Sequence, residues 1–141
     1  MAKGKKTMIF LLVLALTLGG LWYYWERPIQ IRDLIPAGYT KVQFSVVVPG
    51  FGSIETELDQ QTQEKILDLV YSSTVTRHDA YDALPGNCYE LRLFSDGFPT
   101  LIYVGKDGRI SMAIDWDLDH YKYFEDDGQL YQALSDLLGI S

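Results

Sequence analysis

Three carboxylates at alternate positions, Asp115, Asp117 and Asp119, are the sharpest chemical pattern in this 141-residue chain. On an extended strand they would leave one face at i, i+2 and i+4, with neighbours roughly 7 Å apart. With Asp126 and Asp127 added, such a group offers the oxygen ligands that a hard divalent cation such as Ca²⁺ takes. The segment does not fit a calcium-binding loop. Its sixth position is His120 where glycine is needed, and its twelfth is Asp126 rather than glutamate. The same alternation equally describes an exposed strand that charge protects from edge pairing. A second polar group, Arg77, His78, Asp79 and Tyr81 with Asp82 just beyond, lies in a stretch without periodicity. It reads as a loop that either binds something or is simply solvated.

Covalent chemistry has little to stand on. Cys88 and His78 could form a thiolate–imidazole pair, but no nucleophile signature surrounds Cys88, and a small buried thiol accounts for it. A single cysteine excludes an intramolecular disulfide and a cysteine-based zinc cluster. The two histidines, His78 and His120, have no partner at metal-ligand spacing. There is no phosphate loop, no Gly-x-Ser-x-Gly and no dinucleotide fingerprint. The reading therefore designates no catalytic residue and no cofactor. Eight tyrosines outside the apolar segment are scattered along the chain, as half-buried residues or as a platform for carbohydrate.

The first element that positions anything is apolar. Met8 to Trp25 runs 18 residues without a charge. As a helix it is about 27 Å long, close to the hydrocarbon thickness of a bilayer. Lys3, Lys5 and Lys6 precede it, whereas Glu26 and Arg27 cancel after it, so the positive-inside rule puts the N-terminus in the cytoplasm and the body outside. Trp22, Tyr23, Tyr24 and Trp25 gather at the far end, where aromatic rings prefer the headgroup boundary. A cleaved signal peptide is the competing reading, but Thr17-x-Gly19 makes a poor cleavage site. The organisation expected is a basic N-terminus (1–7), a signal-anchor helix (8–25), a linker (26–40) and an extracytoplasmic domain (41–141).

Charge narrows the partners. Residues 28–141 carry 8 Lys/Arg against 18 Asp/Glu, a net of −10. That balance excludes a nucleic-acid surface, and it predicts that an anionic membrane repels the domain rather than binds it. The partners left are the bilayer, through the N-terminal helix, and an unknown protein or cell-envelope component.

Within the domain Thr100–Val104 reads as a strand between two turns, and period-2 alternation predicts strands at Lys41–Val48, Tyr89–Ser95 and Arg109–Asp119. In the last of these Ile110, Met112, Ile114, Trp116 and Leu118 share the core face, with the three aspartates opposite. Ile54–Leu58 and Tyr121–Glu125 read as short extended pieces. Pro85-Gly86-Asn87 and Gly105-Lys106-Asp107-Gly108 read as turns, the latter with Gly108 in a left-handed position. Helices are expected over Gln60–Ser73, capped by Asp59, and from Asp126-Asp127-Gly128 to Gly139. The order β-α-β-β-β-(β)-α makes an α+β layer, a mostly antiparallel sheet with helices on one face.

The segments RDLIPAGYTKVQF, TELDQQTQEKILDLV, LIYVGKDGRISM and YKYFEDDGQLYQALSDLL together resemble small membrane-anchored extracytoplasmic domains of unknown function from Gram-positive bacteria, over most of residues 32–138. The resemblance is one of pattern, implies location and fold class, and brings no catalytic residues. The function expected is a non-enzymatic binding or interaction module. The alternatives are a divalent-cation-responsive acidic module and a small extracytoplasmic enzyme.

Overall fold

The computed structural model describes residues 2–81 and 86–140. Asp82 and Pro85, named above, lie outside them. Helix α1 (Ala2–Glu26) carries the apolar run, and its Lys3–Glu26 stretch is long and apolar enough to cross a membrane, with none of it buried. Its hydroxyls need no water: Thr7 and Thr17 donate back to the carbonyls of Lys3 and Val13, at 2.9 and 2.8 Å.

The rest folds as one antiparallel sheet with two helices. The strands are β1 (Ile29–Gln30), β2 (Lys41–Val48), β3 (Gly52–Thr56), β4 (Thr74–Arg77), β5 (Cys88–Phe94), β6 (Thr100–Gly105), β7 (Arg109–Ala113) and β8 (Lys122–Glu125). Their spatial order is β1-β4-β8-β7-β6-β5-β2-β3. Helix α2 (Gln60–Ser72) links β3 to β4, and α3 (Gln129–Leu138) ends the fold. Carboxylates meet the starts of both helices, Asp59 as the N-cap of α2 and Asp126 two residues ahead of the Gly128 N-cap of α3. Asp59 accepts from the Thr62 amide at 2.7 Å, and Asp126 accepts from Gly128 and Leu130 at 2.7 and 3.1 Å, filling orphan donors of the first turn.

One face of the sheet carries the core. Val42 and Phe44 of β2, Leu91 and Leu93 of β5, Ile102 of β6 and Ile110 and Met112 of β7 are buried there with Ile66 and Val70 of α2 and Leu130 and Leu134 of α3. Ile66 and Val70, and Leu130 and Leu134, stand at helical spacing and bring one side of each helix onto the sheet. This is the α+β layer expected, with a mostly antiparallel sheet.

Besides the segment 26–40 expected as a linker, which carries β1 and buries Ile29, Ile31, Ile35 and Tyr39, two segments depart from the expectation. Thr74–Arg77 has no alternation, yet it forms β4, paired between β1 and β8. A four-residue strand is too short for period to register, and its formation depends on partners far away in sequence. The strand expected over Arg109–Asp119 stops at Ala113. Its ladder with β6 ends at the Leu101–Ala113 pair, and no residue beyond Ala113 is paired on that side. The buried Thr100 hydroxyl, itself hydrogen-bonded to Tyr39, accepts the Asp115 amide at 3.2 Å. Asp115 and Trp116 then take φ of 53° and 60° and turn the chain toward β8.

Candidate functional site

That turn decides the fate of the acidic pattern. Because the strand ends at Ala113, Asp115, Asp117 and Asp119 do not share a strand face, and the expectation of an acidic row there is corrected. Asp117 instead holds His120, Oδ1 to Nδ1 at 3.1 Å, and this hydrogen bond raises the imidazole pKa. Among the described residues no three His, Cys, Asp or Glu side chains converge as a metal site.

Trp116 and Leu118 are likewise not core residues. Trp116 is half-buried and lies against the Arg92 guanidinium, 5.5 Å from ring centroid to carbon, and Leu118 is exposed. Left-handed backbone is uncommon for a bulky residue, and consecutive occurrences at 115 and 116 store strain of order 1–3 kcal/mol each. The Trp116→Asp substitution is therefore expected to cost about 1 kcal/mol or less, since Asp tolerates that conformation better and no core space is vacated. A loss of several kcal/mol in urea denaturation would return Trp116 to the core.

Trp116 belongs to the sheet face that bears neither α2 nor α3. Ser45, Glu90, Tyr103, Ser111 and Tyr123 form one row across five strands, each directly opposite the next. Glu90 is only 7 % exposed, and its carboxylate accepts from Arg92 Nε at 2.7 Å. Burial, reinforced by Glu90, pushes the Tyr103 phenol up to about 12, so it is a neutral donor at physiological pH. Burial followed by Glu90 raises Tyr121 as well. The result is a neutralised ion pair among aromatic rings, suited to stacking and hydrogen bonding. Sequence reasoning missed it because Glu90, Arg92 and Tyr103 read only as the outward positions of ordinary strands.

Cys88 opens β5 and is buried, and burial with Glu90 next pushes its thiol up to about 11. At neutral pH it is a thiol, the wrong state for a nucleophile. His78 is held elsewhere: Nδ1 lies 2.7 Å from the Asp79 carbonyl, Nε2 lies 3.7 Å from Glu125, and the ring stacks on Tyr81 at 4.6 Å. Tyr81 donates to the Phe124 carbonyl, sets its ring edge against Tyr123 at 5.5 Å and lies beneath Arg109 at 5.3 Å. Of the four residues proposed as a binding loop, His78 and Tyr81 thus brace β8. Asp79 stays exposed.

No protein-family model, no curated protein and no solved structure matches this chain.

Arg77 leads to a second site. Its Nη1 donates to the Tyr24 carbonyl at 2.8 Å, and its guanidinium lies 4.3 Å from the centroid of the Tyr24 ring. Arg27 approaches the same ring at 4.9 Å. Tyr24 is one of the four aromatic residues expected at the headgroup boundary, so the end of α1 is fastened to β4. Between them opens a cleft of about 770 Å³, lined by Tyr24, Trp25, Arg27, Arg77 and Lys122 among others. Its basic residues come from positions 27, 77 and 122, a separation no local motif reveals. Arg27 in particular looks neutralised by Glu26 when only the sequence is counted.

Proposed function

We propose that this chain is a single-pass, membrane-anchored extracytoplasmic binding module that displays its open sheet face to a protein or cell-envelope partner. The observation that carries the reading is α1, an apolar helix whose whole length stands clear of the domain core. It has Lys3, Lys5 and Lys6 at one end and Trp22, Tyr23, Tyr24 and Trp25 at the other. Leaving such a surface in water is costly at roughly 25 cal/mol per Å², whereas a bilayer accepts it and satisfies the positive-inside rule. The Arg77–Tyr24 contact supports a fixed stance of the domain above the membrane.

A binding role is favoured over catalysis by the state of the reactive groups. Cys88 is buried and protonated, and each imidazole faces a carboxylate, Glu125 or Asp117, rather than a hydroxyl or thiol. The strained turn at Asp115 and Trp116 supports a binding use of the open face, because it sets an aromatic ring on the Arg92–Glu90 pair.

Topology is tested with a Lys106→Cys variant, Lys106 being exposed in the β6–β7 turn. A membrane-impermeant maleimide is expected to label this residue in intact cells, with the buried Cys88 silent in the parent chain. Labelling that appears only after lysis would refute export of the domain.

A further inference from the structure

We propose that the cleft between the end of α1 and strands β4 and β8 binds the phosphodiester headgroup of an anionic phospholipid. The inference rests on the membrane-anchored reading and gives the junction a ligand. Location is the first argument. The cleft is walled by Tyr24 and Trp25, residues of the last turn of the apolar helix, which lies at headgroup depth when that helix spans the bilayer.

Charge is the second. Arg27, Arg77 and Lys122 line the cleft, and among the described residues none of the three is ion-paired. Asp33 is the carboxylate in the lining, and His78 at its border is paired with Glu125 at 3.7 Å. The cleft is therefore net basic in a domain whose residues 28–141 carry a net of −10. The distant acidic faces do not cancel it, because charges separated by more than about 8 Å are largely screened at physiological ionic strength. The repulsion read from net charge thus gives way locally to attraction.

Geometry is the third. Both guanidinium groups rest on one ring, Arg77 at 4.3 Å and Arg27 at 4.9 Å, so their positions are set before any ligand arrives. Stacking does not neutralise them, and Arg77 uses Nη1 alone on the Tyr24 carbonyl. The remaining N–H donors suit a phosphate, which guanidinium binds through paired parallel hydrogen bonds, while Lys122 adds a point charge. The volume, about 770 Å³, accommodates a small headgroup with water.

The test uses the full chain in dodecyl maltoside micelles and reads the thermal midpoint of the domain. Titration with dihexanoyl phosphatidylglycerol is expected to give a saturable rise, about 10 °C at a concentration 100-fold above Kd. Dihexanoyl phosphatidylcholine and glycerol 3-phosphate at the same concentrations are expected to give none. The R77Q/K122Q double variant should raise Kd by about 25-fold, some five-fold per basic residue, whereas K41Q on the far strand leaves it unchanged. Should the double variant fail to fold, K122Q alone is expected to show the five-fold change, Lys122 being exposed. An equal rise with phosphatidylcholine assigns the effect to acyl chains, and an equal rise with glycerol 3-phosphate assigns it to soluble phosphate esters. Either result, or unchanged Kd in these variants, overturns the proposal. Flotation with pure phosphatidylcholine vesicles separates the two readings. Failure to float overturns the anchor and the headgroup site together, and flotation without a phosphatidylglycerol response overturns the headgroup site alone.

Discussion

Replacing Gly108 by alanine is expected to cost about 3–5 kcal/mol, a large share of the 5–15 kcal/mol typical of a folded domain. Two causes add. Gly108 has φ +96°, a conformation that L side chains rarely adopt. A Cβ placed there also falls well inside van der Waals contact of the Asp126 carbonyl, and that obstacle is backbone rather than a flexible side-chain tip. The close approach is structural, since the Asp126 amide donates to the Gly108 carbonyl at 2.9 Å. Asp126 in turn caps α3 through its carboxylate, so pushing it away loosens the β6–β7 turn and the start of the last helix together. Gly50 provides the control. It has φ +82° in the turn after Pro49, but a Cβ there meets open space. Gly50→Ala should therefore show the conformational cost alone, about 1 kcal/mol. Urea denaturation of the two variants in the full chain, followed by tryptophan and tyrosine fluorescence, measures the difference. Equal losses would mean that the contact between the turn and Asp126 is not made.

Truncation of Phe44 to alanine is expected to be comparably severe, about 3–5 kcal/mol, from lost burial plus the cavity left behind. Phe44 is fully buried in the middle of β2, opposite Leu91 on one side and Thr56 on the other. Its ring lies 4.8 Å from that of Tyr89, and Tyr89 itself stacks on Tyr131 of α3 and is hydrogen-bonded to Ser135 at 2.6 Å. Removing Phe44 thus unsupports the column that joins the sheet to the last helix. Phe51, at the tip of the β2–β3 turn, is 89 % exposed, and Phe51→Ala should stay within about 0.5 kcal/mol. Midpoints in the same denaturation assay check both, and a large loss at Phe51 would show that the hairpin tip packs against the chain itself rather than standing in solvent.

Where local physics was sufficient, the sequence reading and the structure coincide. Val42 and Phe44 alternate with Lys41 and Gln43, so one face of β2 is dry whatever its neighbours are. Asp59 and Asp126 cap helices because the orphan amides lie within a few residues of them. The apolar length of α1 and its flanking lysines are equally local properties. The candidate sites are less legible. Arg77 and His78 read as part of one polar loop, but β4 draws Arg77 to Tyr24 and β8 draws His78 to Glu125. Lys122 gives no sequence signal, and Glu26 cancels Arg27 when charge alone is counted.

The chain alone therefore determined the apolar helix and the lysines at one end of it, the helices α2 and α3, the alternation of β2 and β5, and the turn glycine at 108. Each depends on residues within one or two turns of one another, and water sorts them without reference to the rest of the fold. Tertiary structure decided where β7 stops, because a strand continues only while a neighbouring strand offers hydrogen bonds, and the ladder with β6 ends at the Leu101–Ala113 pair. It also decided that β4 exists, that Trp116 meets Arg92 rather than the core, and that Arg27, Arg77 and Lys122 share one cleft. These are contacts between residues tens of positions apart, and the periodicity of a sequence holds no record of which distant segment will lie beside it.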